Sequence, residues 1–481
     1  MAFPFVNAAA KLTTWSSHCE ITAKGIAIMP PVLAKPRKDF SADALFRLTR
    51  SYFGRMDDPR QGKISILLGD ALMSAFAMFS LKDPSLLAFD ERCRNQNDNF
   101  RTIYGIESVP SDTQMRAILD TVDPDDLRPL NNDIFRLLQR GKELEQFVFM
   151  DGHYLVSLDG TGYFSSSKIH CPSCLEKKYR DGKVNYSHQM LGAALVKPGI
   201  KEVIPLAPEP IIQQDGHIKN DCEKNATRRW LKRFRQDHPH LPVIILEDGL
   251  SANAPHLNDL LEAKARYIIG VKPGDHAFLF GYLRTAEEEG KAEILIKVDP
   301  LTGIQHEFRF QNNVPLNESH PDHKVNVLEY REIHPTRVVK KVERIGIIQN
   351  FSWITDFELT TDTVEKIMRG GRARWKIENE TFNTLKNQGY HFEHNYGHGK
   401  KSLSVVLAMV MMLAFLVDQT QQLCCPLFQA AWATCGHNKR SLWNKVRCYF
   451  LAYTFDSMQD LLVLIAGENR TRRKCVKQNS S

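Results

Sequence analysis

Three carboxylates stand where a fold could bring them together. Asp159 follows an apolar stretch, Tyr154 to Leu158, and precedes Gly160-Thr161-Gly162, while Asp248 follows Val243-Ile244-Ile245-Leu246-Glu247 and precedes Gly249. Each pattern reads as a strand running into a turn, which sets the acid at the carboxyl edge of a sheet, where open α/β folds place their ligands. Glu378 lies instead on an expected helix, in Arg374-Trp375-Lys376-Ile377-Glu378, with Arg374 one turn before it and Phe382 one turn after. Converging carboxylates repel and raise one another's pKa unless a cation sits among them. Two Mg2+ or Mn2+ ions suit an all-oxygen site left open to substrate, and phosphodiester transfer is the reaction that such a site performs. None of the three decides the matter alone. Asp-Gly is also a plain turn, as Asp151-Gly152 illustrates; Glu378 could simply pair with Arg374, and Glu380 is its near competitor.

The elements that must position these acids change character along the chain. Residues 1–40, with Pro30, Pro31 and Pro36, read as a poorly ordered arm. From 41 to 145 the apolar residues recur at helical spacing, as in Ile66, Leu67, Ala71, Leu72, Ala75, Phe76 and Phe79, and Ser111 is a good N-cap for a later helix. Strands are expected at Phe147 to Met150, Tyr154 to Leu158, Ser187 to Val196, Glu202 to Pro208, Val243 to Leu246 and Tyr267 to Val271, with helices between Asn220 and Arg235 and between Ala254 and Lys264. That order predicts an α/β core of mixed sheet. Over 274–349 short alternating strands, Ile294 to Val298, His306 to Phe310, Val325 to Tyr330 and Arg344 to Ile348, predict a separate β-rich insertion. A strand at Phe351 to Ile354 and one helix from Thr363 through Lys386 return to the core, and 421–481 is helical with a basic tail, Arg470 to Lys477.

Bulk properties narrow the class. A chain of 481 residues, 43% hydrophobic and 25% charged, has a globular, multi-domain composition. The most apolar run, Leu403 to Val417, is too short for a membrane span of about 20 residues and reads as a buried helix. The N-terminus lacks a secretion leader and the ten cysteines follow no regular framework, so reduced thiols in the cytoplasm are expected.

The net charge of +7 favours an anionic partner only modestly, so the clusters matter more. Arg228, Arg229, Lys232, Arg233 and Arg235, interleaved with Trp230 and Phe234, have a density suited to phosphates, though the same helix could bury its aromatics and merely solvate its charges. A second basic stretch, Lys177, Lys178, Arg180 and Lys183, follows Cys171-Pro172-Ser173-Cys174. With His170 before it and His188 and Cys222 after it, Cys171 and Cys174 could hold a structural zinc, but an isolated Cys-x-x-Cys is more often a pair of free thiols.

At Leu158-Asp159-Gly160-Thr161, Leu246-Glu247-Asp248-Gly249 and Arg374-Trp375-Lys376-Ile377-Glu378 the sequence resembles the DDE transposases of bacterial insertion sequences, in the group whose catalytic core is interrupted by a β-strand domain. The resemblance spans about Phe147 to Lys401. It implies an RNase H-like core in two parts, 146–273 and 350–420, flanked by helices, interrupted by the insertion and preceded by an all-α DNA-binding domain with a helix-turn-helix. It further implies Asp159, Asp248 and Glu378 as metal ligands, cleavage of element ends and their joining to target DNA, with double-stranded DNA as partner and work at the nucleoid; the need to pair two DNA ends leads to the expectation of a homodimer in the synaptic complex. Arg374 and Lys386 would contact DNA near the scissile phosphate. The family's tyrosine three residues before the arginine and its lysine seven after the glutamate are Gly371 and Leu385 here, with Lys386 one place on. Between Lys272 and Phe351 no tryptophan occurs, so hairpin chemistry on the second strand is not implied. The alternatives are a catalytically silent, transposase-derived DNA-binding protein and a metal-dependent nuclease on the same fold.

Overall fold

A computed structural model describes residues 38–95, 98–213, 221–335, 337–339, 342–344, 346 and 348–467. The expected N-terminal arm, apart from its last residues, and the basic tail lie outside the described residues.

Six helices come first: α1 (Ala42–Phe53), α2 (Leu68–Ser80), α3 (Leu86–Asn95), α4 (Asp98–Tyr104), α5 (Asp112–Leu119) and α6 (Arg128–Arg140). Ser111 caps α5 as its sequence suggests: its hydroxyl accepts from the Gln114 backbone N–H, and the Gln114 side chain accepts from the Ser111 N–H. Every residue of α2 is buried. A helix apolar all round needs cover on all sides, and part of that cover is α12 (Leu403–Cys424), the long apolar helix near the other end of the chain. Within the described residues, α12 is the one helix long and apolar enough to cross a membrane, and it is buried in the protein interior.

The sheet is built from β1 (Tyr154–Ser166), β2 (Leu175–Lys178), β3 (Val184–Val196), β4 (Ile204–Pro205), β5 (Glu209–Ile211), β6 (Val243–Glu247), β7 (Arg266–Gly270), β8 (Glu293–Val298), β9 (Gln305–Asn317), β10 (His320–Ile333) and β13 (Ile348–Thr355). Its order is β2-β3-β1-β6-β7-β13-β10-β9-β8, with β4 and β5 also paired to β3. β1, β6 and β7 run parallel, joined through α7 (Glu223–Asp237) and α8 (Ala254–Glu262), while β3 and β13 flank them antiparallel. Parallel strands covered on both faces read as near-continuous apolar runs, and all five residues of β6 are buried, the last of them, Glu247, against His256.

Three expectations need correction. The stretch Phe147 to Met150 is not a strand: a short 3₁₀ turn, Glu143–Phe147, is followed by a single bridge from Val148 to Tyr154. The insertion does not form a sheet apart. After α9 (Ala277–Glu288), strands β8, β9 and β10 add edgewise to the core through the β10–β13 pairing, and only β11 (Arg337–Val339) and β12 (Val342–Arg344) pair separately. The expected helix Thr363 to Lys386 is not uniform. It comprises α10 (Val364–Arg372), a 3₁₀ turn at Ala373–Trp375, a π-helical turn at Ile377–Phe382 and α11 (Asn383–Asn387). The chain closes with α13 (Pro426–Thr434), α14 (Lys439–Ala452) and a last helix, Met458–Gly467.

Candidate active site

Strand register sets two of the acids side by side. Tyr154 to Ser157 of β1 pair in parallel with Val243 to Leu246 of β6, so two residues further on Asp159 stands beside Asp248. Asp159 is not at a turn, however. β1 continues to Ser166 because β3 goes on pairing with it after β6 has stopped, with Asp159 opposite Gly192. Asp248 does leave its strand: it caps a short 3₁₀ turn by accepting from the Leu250 N–H at 3.0 Å.

Side chains alternate across a strand, so Ser157 and Asp159 share one face of β1. That face carries the irregular helix: the Ser157 hydroxyl donates to the Arg374 carbonyl at 3.0 Å. A Cβ on Gly192 would come within 2.6 Å of the Phe382 ring, so the glycine opposite Asp159 is what admits the π-helical turn so close to the sheet. Insertions of this kind concentrate at functional sites. Glu378 lies on that turn. Arg374 links it to the first aspartate, with Nη2 at 2.8 Å from Glu378 Oε1 and Nη1 at 3.2 Å from Asp159 Oδ2. Glu380, the competing carboxylate, instead lies within electrostatic reach of Lys439 on α14.

The electrostatics show the crowding. Burial pushes the Asp159 carboxyl up; Arg374 pulls it back, and Glu378 and Asp248 add to the rise, leaving it at about 6. A fourth acid, not singled out from the sequence, joins them. Glu223, the first residue of α7, accepts a hydrogen bond from the Gly160 backbone N–H, and a Cβ on Gly160 would meet its carboxylate at 2.5 Å. Burial, then Asp159 and Asp248, raise Glu223 to about 7. Its only local signal was an acid in the first turn of a basic helix, which reads as a dipole partner.

The basic residues divide into two groups. On α7, Arg229 pairs with Glu209 and Asp221, Arg233 with Asp125 and Glu209, and Arg235 donates to the carbonyls of Ala263, His238, Leu241 and Lys264. With Trp230 and Phe234 facing the core, these three arginines hold the structure together rather than presenting one phosphate face. Arg228, paired with Asp259, and Lys232 are exposed. Lys386 pairs with Glu393 at 2.8 Å. Lys177, Lys178, Arg180 and Lys183 are all exposed on the β2–β3 hairpin, and a cleft of about 780 Å³ runs from that hairpin to Glu223.

Cys171 and Cys174 are buried together with His188, and the structure adds His398 from the loop before α12. His170 and Cys222 stand apart: His170 stacks on Tyr186 and Cys222 is exposed ahead of α7.

No curated protein matches the sequence. A family model described as a transposase DDE domain matches residues 193–416, a stretch that contains Asp248 and Glu378 and begins on β3, the strand paired with the one bearing Asp159. By that match residues 193–416 are similar to a transposase DDE domain, which is consistent with the DDE transposases of insertion sequences.

Proposed function

We propose that this chain is a transposase that cleaves the ends of its element and joins them to target DNA at a site made of Asp159, Asp248 and Glu378. The observation that carries the reading is the convergence of those three from β1, β6 and the π-helical turn, with Asp159 pushed up to about 6 by burial and by its acidic neighbours. The strand order β3-β1-β6-β7, an antiparallel hairpin followed by two parallel crossovers, supports an RNase H-like core for residues 146–273 and 350–420.

Oxygen donors crowded to the point of mutual repulsion fit divalent hard cations, so Asp159, Asp248 and Glu378 would hold Mg2+ or Mn2+. When bound, two such ions supply Lewis-acid activation of the attacking oxygen and charge neutralisation at the leaving one. The chain's own residues do the rest. Arg374 balances Asp159 and Glu378 and stands ready for a phosphate at the same place. Glu223 fixes the Gly160 backbone beside Asp159. The hairpin lysines and Arg180, with Arg228, Lys232 and Lys386, would hold DNA by its backbone, positioning it without reading sequence. Two ends must be paired for joining, which calls for a homodimer on DNA in the cytoplasm.

The test is an assay of purified protein on DNA carrying matched element ends, resolving nicked from joined products, in Mg2+ and in EDTA. Joined product that disappears with EDTA and in Asp159→Asn, Asp248→Asn and Glu378→Gln supports the proposal. Nicks without joining point to a nuclease, and DNA binding without cleavage to a silent descendant.

A further inference from the structure

We propose that Cys171, Cys174, His188 and His398 form a structural zinc site that fastens the basic β2–β3 hairpin to the C-terminal half of the catalytic domain. The four ligand atoms lie within 4.8 Å of one another. The sulfurs are 3.8 Å apart; His188 Nε2 is 3.2 Å from Cys171 Sγ and 3.4 Å from Cys174 Sγ, and His398 Nε2 is 3.1 Å from Cys174 Sγ. A tetrahedral zinc with bonds of about 2.3 Å to sulfur and about 2.05 Å to nitrogen separates its sulfurs by about 3.8 Å and sulfur from nitrogen by about 3.6 Å. The cluster matches the first edge and is within a few tenths of an ångström of the second. Two soft thiolates and two imidazoles, with no carboxylate among them, select zinc over magnesium or calcium.

The surroundings are built for it. Cys171, Cys174 and His188 are buried, and the Cys171 N–H points at Cys174 Sγ at 3.4 Å. Both imidazoles have a buried Nδ1 without a hydrogen-bond partner, so ring packing and the facing sulfurs are what orient them: His398 lies 4.2 Å from the Phe164 ring, and His188 stacks on Tyr163. The loop that delivers His398 is itself fixed. Asp120, at the end of α5, accepts the backbone N–H groups of Lys400, Lys401, Ser402 and Leu403, and Gly399 has a positive φ of 66° in a place where a Cβ would strike the Asp120 carboxylate.

Three segments meet there: the Cys171–Cys174 turn, β3 and the loop before α12. The turn leads straight into β2 with its exposed lysines, and outside the cluster the Ser173 hydroxyl donates to the Lys401 carbonyl of that loop. A four-coordinate metal closes this junction and stops the hairpin from swinging away from the carboxylates. The site is closed, with four protein ligands, so it is structural and not a second catalytic centre.

The full-length protein, purified without chelator, should carry one zinc per chain by elemental analysis. Replacement by Co2+ should give the visible absorption of a tetrahedral thiolate-imidazole site. His398→Ala and Cys174→Ser should lose the zinc, whereas Asp159→Asn should keep it, which separates this site from the carboxylates. Because the cysteine variant could fail to fold, the wild-type protein is also stripped with a chelator and digested with trypsin; cleavage between Lys177 and Lys183 should accelerate severalfold and be reversed by added zinc. Folded wild-type protein that carries no zinc, and whose thermal midpoint and trypsin cleavage ignore added zinc, overturns the proposal. Zinc that survives His398→Ala but leaves with Asp159→Asn overturns it as well.

Discussion

Without metal, the carboxylate cluster should make the protein less stable as pH rises, and a divalent ion should cancel the loss. Asp159 is raised from 3.8 to about 6 and Glu223 from 4.5 to about 7, each with burial as the leading cause. A carboxyl whose folded pKa lies above its unfolded value binds more protons in the folded chain between the two values. Its contribution is therefore most favourable below about pH 4 and declines as pH climbs through about 6 for Asp159 and about 7 for Glu223. A rise of roughly 2 units is about 3 kcal/mol per group at 1.36 kcal/mol per unit. The Asp159 side chain is 20% exposed and Glu223 is half-buried, so solvent screening brings this to about 1–2 kcal/mol each, about 3 kcal/mol together. At about 2 °C per kcal/mol for a large domain, the midpoint should fall by about 6 °C between about pH 4 and pH 8. The assay is a thermal melt in EDTA across that range, set against the Asp159→Asn, Glu223→Gln double variant, whose difference from wild type removes every other titrating group. Added Mg2+ should raise the wild-type midpoint at about pH 8 and hardly at all at about pH 5, because a protonated carboxyl is a poor ligand. A wild-type curve parallel to that of the double variant, or Mg2+ stabilisation equal at both pH values, would refute the reasoning.

Other perturbations probe the same framework. Gly192→Ala drives a methyl group into the Phe382 ring and should destabilise the protein by about 1–3 kcal/mol while displacing Glu378, so strand joining should fall far more than DNA binding by gel shift. Asp418→Ala leaves Lys82, fully buried between the Tyr390 and Trp443 rings, without its ion-pair partner; a loss of about 3–5 kcal/mol is expected in urea unfolding. Lys177→Ala with Lys178→Ala should weaken binding to any duplex alike and flatten the slope of log affinity against log salt by about 1–2, whereas Arg229→Ala should lower the melting midpoint more than it changes that slope.

Much of this was legible in local sequence, and the failures have physical causes. β6 announced itself because a strand buried on both faces is an unbroken apolar run, and Asp248-Gly249 after it does leave the sheet. The same logic placed a turn at Asp159-Gly160-Thr161-Gly162, where glycine serves close approach instead: Gly160 makes room for Glu223 inside a strand that runs on. The charge density of α7 suggested a phosphate face because most of the acids that neutralise it, Asp125, Glu209 and Asp259, reach it only through folding. The Cys-x-x-Cys was visible, but His398 comes from the far end of the catalytic domain, and no spacing rule connects them. The π-helical turn had no propensity signal either. Arg374, Glu378 and Phe382 fit ordinary helical spacing, and what opens the helix is its tight seat on Gly192.

The carboxylates gather where they do because of one topological event, the end of pairing between β1 and β6 while β1 and β3 pair on. Below that point β1 is hydrogen-bonded on both sides and can carry only apolar residues and Ser157. Above it the β6 side of β1 is open. The Gly160 N–H needs an acceptor, which Glu223 supplies; the chain leaves β6 at Asp248, which caps the next turn beside Asp159, and Asp159 faces the space between these acids and the helix of Glu378. Such a gap gathers negative charge that the protein balances only in part, through Arg374. Lengthening β6 by one more apolar pair would close the gap and satisfy the backbone, but it would also remove the place proposed for a cation. The exposed backbone end and the unbalanced charge therefore have a single origin in the sheet, and that combination supports the proposed metal-assisted reaction on an anionic backbone.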